Sequence, residues 1–155
     1  MDNMWTISNQ GDLQTVRATG LEKEYSFTVK VSDDNSIWKK HLQILSRGYD
    51  DVISFPFEIV NLFDEKQVDV EIKEFKNKQY DNHCADQVID WIISNRDKHT
   101  EATNAILVLS GNLPKTTLKI WNRILDSFKE STKKNVDIAV VEEASSDVAV
   151  SVWWY

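Results

Sequence analysis

The sequence predicts an α/β (α+β) fold in which one mixed β-sheet is flanked by helices. Two short continuous apolar runs, "NAILVLSG" and "VDIAVVE", have the pattern of strands buried on both faces. Segments with apolar residues at helical spacing alternate with these runs. Residues 5–31 are instead rich in β-branched and aromatic residues, with Gly11 and Gly20 as turn signals. A length of 155 residues suits a single domain, 1–155. It divides into a β-rich extension over 1–33, a core over 34–143 and a C-terminal strand over 144–155.

Taken in order, "LQTVRATG" and "YSFTVKV" form an N-terminal β-hairpin. "DDNSIWKKHLQILSRG" follows as a helix. Asn35 or Ser36 caps it, Trp38, Leu42 and Leu45 share one face, and Gly48 follows the last turn. Two strands come next, over 52–63 and 67–76. A second helix covers 83–96, with Val88, Ile89, Ile92 and Ile93 as its apolar stripe. After the strand "NAILVLSG", a third helix has Asn112 as its cap and Pro114 in its first turn. Its stripe is Leu118, Trp121, Leu125 and Phe128. "VDIAVVE" and "VAVSVWWY" complete the order β-hairpin, α, β, β, α, β, α, β, β.

Composition narrows the function classes. Hydrophobic residues make up 41% and charged residues 28%, which excludes a disordered chain. One cysteine, Cys84, excludes an internal disulfide and fits a reducing, cytoplasmic setting. The start, "MDNMWTISNQ", has no apolar core of a signal peptide. No apolar run approaches the ~20 residues of a spanning helix, so no membrane association is expected. A net charge of -7 speaks against a broad basic footprint for nucleic acid and suits a basic partner. His41, His83 and His99 share no ligand spacing with Cys84, so no zinc site is expected. "LSGN" lacks the glycines and lysine of a Walker loop, though a helix N-terminus there suits an anion.

The stretch "FEIVNLFDEKQVDVEIKEF" carries the chemistry. A two-residue loop at Glu65-Lys66 sets Phe63 opposite Val68, Asn61 opposite Val70 and Ile59 opposite Ile72, a nearly apolar side. A three-residue loop puts Ile59 opposite Glu71 and mixes charge into that side, at a cost of several kcal/mol by order of magnitude. The even register leaves Glu58, Glu71 and Lys73 on the other face. Glu58 and Glu71 are then diagonal neighbours, with Cα atoms about 7–8 Å apart. Two carboxylates so placed suit one Mg²⁺ or Mn²⁺, and Lys73 lies beside a metal-bound water. The competing interpretation of Asp69, Glu71 and Lys73 is a solvated strand face with Lys and Glu paired across the hairpin.

These residues resemble the PD-(D/E)XK nuclease superfamily, in its Holliday-junction resolvase and type IV restriction-endonuclease branches. The helix ends at "SRGYDDVISFP", the acidic position falls on Glu58 in "FEIV", and E-x-K falls on Glu71 and Lys73 in "VEIK". The likeness covers 35–143 and implies a restriction-endonuclease-like core. It implies metal-dependent hydrolysis of DNA, with Glu58 and Glu71 as metal ligands and Lys73 as the third catalytic residue. Gln87 lies where some members place an accessory Gln or Glu.

Other residues extend the two functional hypotheses. Lys76 and Lys78 in "KNKQYDNH" suit contacts with a phosphate backbone. Trp153, Trp154 and Tyr155 either close the core or dock a partner or second subunit as a homodimer. The first hypothesis is therefore a nuclease-like domain within a restriction or defence system, with DNA as its partner. The second is a non-catalytic acidic immunity or inhibitor protein that neutralises a basic toxin or nuclease.

Overall fold

Among the described residues, seven strands lie in one mixed sheet, with three helices packed on its faces. The computed structural model describes residues 4–10, 13–19, 25–31, 37–47, 63–75, 82–111, 118–142 and 148–155. The strands are β1 (Met4–Gln10), β2 (Leu13–Thr19), β3 (Tyr25–Val31), β4 (Gln67–Phe75), β5 (Asn104–Gly111), β6 (Asn135–Glu142) and β7 (Val148–Trp154). The helices are α1 (Ile37–Arg47), α2 (Asn82–Asn95) and α3 (Leu118–Thr132), and a 3-10 turn, Arg96–His99, follows α2. The N-terminal region thus forms a three-stranded antiparallel meander rather than a hairpin.

The strand order is β1-β2-β3-β4-β7-β5-β6. β3 and β4 pair in parallel, as do β5 and β6, while β7 runs antiparallel between β4 and β5. The last strand in sequence is thus an internal strand of the sheet. Its successive side chains point to opposite faces. Val148, Val150, Val152 and Trp154 join the core under α2 and α3. Trp153 joins the core on the α1 side. Trp153 and Trp154 are therefore core residues, fully or almost fully buried, and Tyr155 is half-buried. Trp153 and Trp154 thus help close the core, and Tyr155 packs partly against it.

The helix stripes form largely as their spacing predicts, although Ile93 is half-buried outside the core cluster and the Leu118 side chain lies outside those described. Trp38, Leu42 and Leu45 of α1 are buried. On α2 the buried residues are Cys84, Ala85, Val88 and Ile92, with Ile89 packed partly against them. On α3 they are Trp121, Ile124 and Phe128, with Leu125 beside them. β5 is buried from Ala105 to Gly111, as its apolar run requires.

The expected hairpin of 52–63 on β4 is not what flanks β4 at Val68 and Val70. Those positions face Val29 and Val31 of β3 on one side, and Val70 faces Trp153 of β7 on the other. The preceding turn explains the difference. Glu65 adopts a left-handed conformation, φ 61°. Its N–H donates to the Ser26 carbonyl at 2.8 Å, and the Asp64 carboxylate accepts from the Ser26 N–H at 3.1 Å. The Thr28 N–H donates to the Lys66 carbonyl at 3.0 Å. The turn is thus clamped to β3 and sets the parallel register Thr28 to Gln67. Phe63 enters the α1-side core, stacked on Trp153 and edge-on to Phe27 and Tyr155.

A polar chain crosses that core. The buried imidazole of His41 lies 2.5 Å from Ser151 Oγ through Nδ1 and 2.9 Å from Ser110 Oγ through Nε2. Trp153 Nε1–H donates to Ser151 Oγ at 2.8 Å. In the simplest assignment that satisfies every group, Ser151 donates to Nδ1 and Nε2–H donates to Ser110. This needs a neutral ring, and burial followed by the nearby Lys40 charge lowers the His41 pKa to about 3. In the unfolded chain His41 titrates at the ordinary 6.5. Its contribution to stability is therefore complete above pH 6.5 and is lost as pH falls toward 3, with a limiting slope of about 1.4 kcal/mol per pH unit. We predict that His41→Ala destabilises the protein by about 3 kcal/mol at pH 7, through a cavity and two stranded hydroxyls. It should also flatten the acid limb, as read by urea unfolding at a series of pH values.

Candidate functional site

β4 divides by period two, with Val68 and Val70 buried on the α1 side. Asp69, Glu71, Lys73 and Phe75 belong to the face that carries α2 and α3. Across the β4–β7 pair they stand opposite Trp154, Val152, Val150 and Val148. β4 lies at the margin of the helix-covered area, so charge is tolerated there without full desolvation. Asp69 keeps 37% of its side-chain exposure, whereas Glu71 keeps 15%. This face is neither fully wet nor fully buried.

Glu71 is held by a residue that the linear sequence does not single out. His99 closes the 3-10 turn after α2, and its ring is buried. His99 Nε2 lies 3.1 Å from Glu71 Oε1, and Nδ1 lies 3.5 Å from Asp69 Oδ2. The ring stacks on Trp154 with centroids 4.7 Å apart and planes 11° from parallel. Lys134 Nζ donates to the carbonyls of His99 and Ala102 and lies 5.8 Å from the Trp154 ring centroid. Two carboxylates, an imidazole and an indole thus form one packed unit that fixes the turn to the sheet.

The unit is not arranged as a metal centre. The imidazole bonds Glu71 through Nε2, whereas Nδ1, 3.5 Å from Asp69 Oδ2, makes no hydrogen bond among the described residues. Among the described residues, no group of three or more His, Cys, Asp or Glu side chains is placed to hold a metal ion. Glu58, Lys76 and Lys78 lie outside the described residues, as do Asp50 and Asp51.

Lys73 is exposed and belongs to a second feature, an open groove of 570 Å³ between the end of β4 and α2. Lys73, Glu74 and Phe75 line it from the strand, and Gln87, Asp90, Trp91 and Ser94 line it from the helix. The i, i+3, i+4 and i+7 spacing of the helix residues places them on one side of α2. Half-buried Trp91 supplies apolar surface beside the buried ring of Phe75, while Glu74 and Asp90 are exposed. One turn earlier, Asp86 is paired with Arg123 of α3. Sequence reasoning placed Lys73 and Gln87 individually. The groove they share arises only from the packing of α2 beside β4.

No family model matches the chain, and no curated protein does. Solved structures that match include CetZ from Methanosaeta thermophila strain DSM 6194, at 12% identity and a TM-score of 0.41, over 78% of this chain and 32% of that one. CetZ2 from Haloferax volcanii, in a GTPγS-bound protofilament, matches at 14% identity and a TM-score of 0.40, over 81% of this chain and 34% of that one. The chain therefore spans about a third of the length of these proteins. Likeness at this level carries no inference about activity. The PD-(D/E)XK likeness is corrected: these matches are CetZ proteins rather than nucleases, and no nuclease family model matches. The described strands do not confirm the restriction-endonuclease-like core implied by that likeness.

The Glu71–His99 contact generates a direct test. In a double-mutant cycle of Glu71→Gln and His99→Gln, we predict a favourable coupling of about 1–2 kcal/mol, measured by chemical unfolding. Coupling indistinguishable from zero would remove this contact from the forces that hold the turn.

Proposed function

We propose that the protein is a non-catalytic acidic binding protein that covers a basic protein partner, in the manner of an immunity or inhibitor protein. The groove between β4 and α2 is its contact point. The observation that carries this reading is the pairing of aromatic surface with exposed carboxylates in one open groove, on a chain of net charge -7. Trp91, over the buried Phe75, suits the aliphatic stem and the cationic head of an Arg or Lys side chain. Asp90 suits its charge, Glu74 at the strand rim adds to the local negative field, and Lys73 orients the incoming group by repulsion. The overall negative field steers a basic partner toward the protein and makes association sensitive to salt. The nuclease reading is not carried forward, because the likeness on which it rested is overturned.

The test uses the protein and short peptides that differ only in having Arg or citrulline at one central position. The Arg peptide is expected to bind with an affinity that falls as salt rises. Reversal of both groove carboxylates, Glu74→Lys with Asp90→Lys, is expected to weaken binding at least about tenfold, roughly 1.4 kcal/mol. Both residues are exposed, so unfolding curves should be little changed. Equal binding of Arg and citrulline peptides, or no loss on charge reversal, would refute the groove as the contact point.

A further inference from the structure

The outer edge of the sheet at β1 differs from the rest of the molecule. Its sequence, "MWTISNQ", contains no charged residue, no proline and no glycine. Charged residues make up 28% of the chain, and the opposite edge strand, β6, carries Asp137 and Glu142. Edge strands are commonly protected by charge, proline or a bulge. Among the described residues, β1 pairs only with β2, in an unbroken register from Met4–Thr19 to Gln10–Leu13. Thr6, Ile7 and Ser8 are all exposed, and among the described residues Ile7 is the large hydrophobic one left exposed, at 36%.

We propose that β1 is a self-pairing edge that joins two copies of this chain into one continuous sheet. Two considerations select a second copy as the occupant. Two chains that each carry a charge of -7 repel, so a stable contact needs a surface free of like charge, and β1 is seven such residues in a row. The strand is also self-complementary about its centre. In antiparallel pairing on a two-fold axis at Ile7, each Ile7 faces its counterpart and Thr6 faces Ser8. The apolar side chains cover one another, and the flanking hydroxyls pair across the strands. This contact leaves the β4–α2 groove free, so it stands or falls separately from the proposed function.

Sedimentation equilibrium of the wild-type chain is expected to give twice the 18.0 kDa chain mass. Ile7→Lys sets two ammonium groups together at the axis and is expected to restore the 18.0 kDa monomer, with its far-ultraviolet spectrum unchanged. An independent variant, Ile7→Cys, needs no loss of assembly to be informative. Directly opposed antiparallel residues have Cα atoms about 4.5–5.5 Å apart, within the range a disulfide spans. Oxidised glutathione should therefore link Ile7→Cys into a covalent dimer, while Lys30→Cys, exposed on β3, stays unlinked. A wild-type monomer at all concentrations overturns the proposal, including one that accepts a strand from a different protein. So does an Ile7→Lys dimer, or Ile7→Cys that links no faster than Lys30→Cys.

Discussion

The structure depends on the insertion of β7 between β4 and β5. β7 makes the only strand contacts, among the described residues, that join the β1–β4 part of the sheet to the β5–β6 part. It also sends Trp153 and Trp154 to opposite faces, so that one strand anchors both cores. Each is fully or almost fully buried, and loss of such a side chain costs about 3–5 kcal/mol. The register of β7 therefore sets the α1 side and the α2–α3 side together. A slip by one residue would exchange the two tryptophans and bring Ser151 to the wrong core.

Two polar clusters in these cores pass through β7. On the α1 side, Ser151 and the Trp153 indole N–H join His41 and Ser110 in a closed hydrogen-bonded chain. Complete satisfaction makes such a chain tolerable at full burial, and it favours one placement of α1 on the sheet. On the other side, the ring of Trp154 is the platform for His99, which reaches Glu71 and Asp69. The carboxylates there lie where the helices cease to cover the sheet, so their desolvation is partial. Fully buried polarity is thus neutral, and charge is confined to the margin.

That division has consequences for the surface. Once Glu71 is occupied by His99, the acidic groups left at the end of β4 and along α2 are exposed ones such as Glu74 and Asp90. They border an aromatic groove rather than a set of convergent ligands. At the far end of the sheet, β1 lacks charge altogether. One part of the molecule thus carries exposed carboxylates, while the β1 edge carries none.

Much of the framework was legible in the sequence. The apolar stripe of α1 and the continuous run of β5 each have one environment that buries their residues, so periodicity alone located them. The alternation of β4 was equally readable, and it correctly separated Val68 and Val70 from Asp69, Glu71 and Lys73. The partners were not readable. Whether β4 pairs with a hairpin or with β3 was decided by the left-handed turn at Glu65 and its bonds to Ser26, 38 residues away. The contact of His99 with Glu71 spans 28 residues and exists because β7 brings Trp154 beneath the ring. The pattern of side chains along a strand is a local property, so the sequence by itself determined which residues share a face. Their neighbours come from strand order, a long-range property that only the tertiary structure decided.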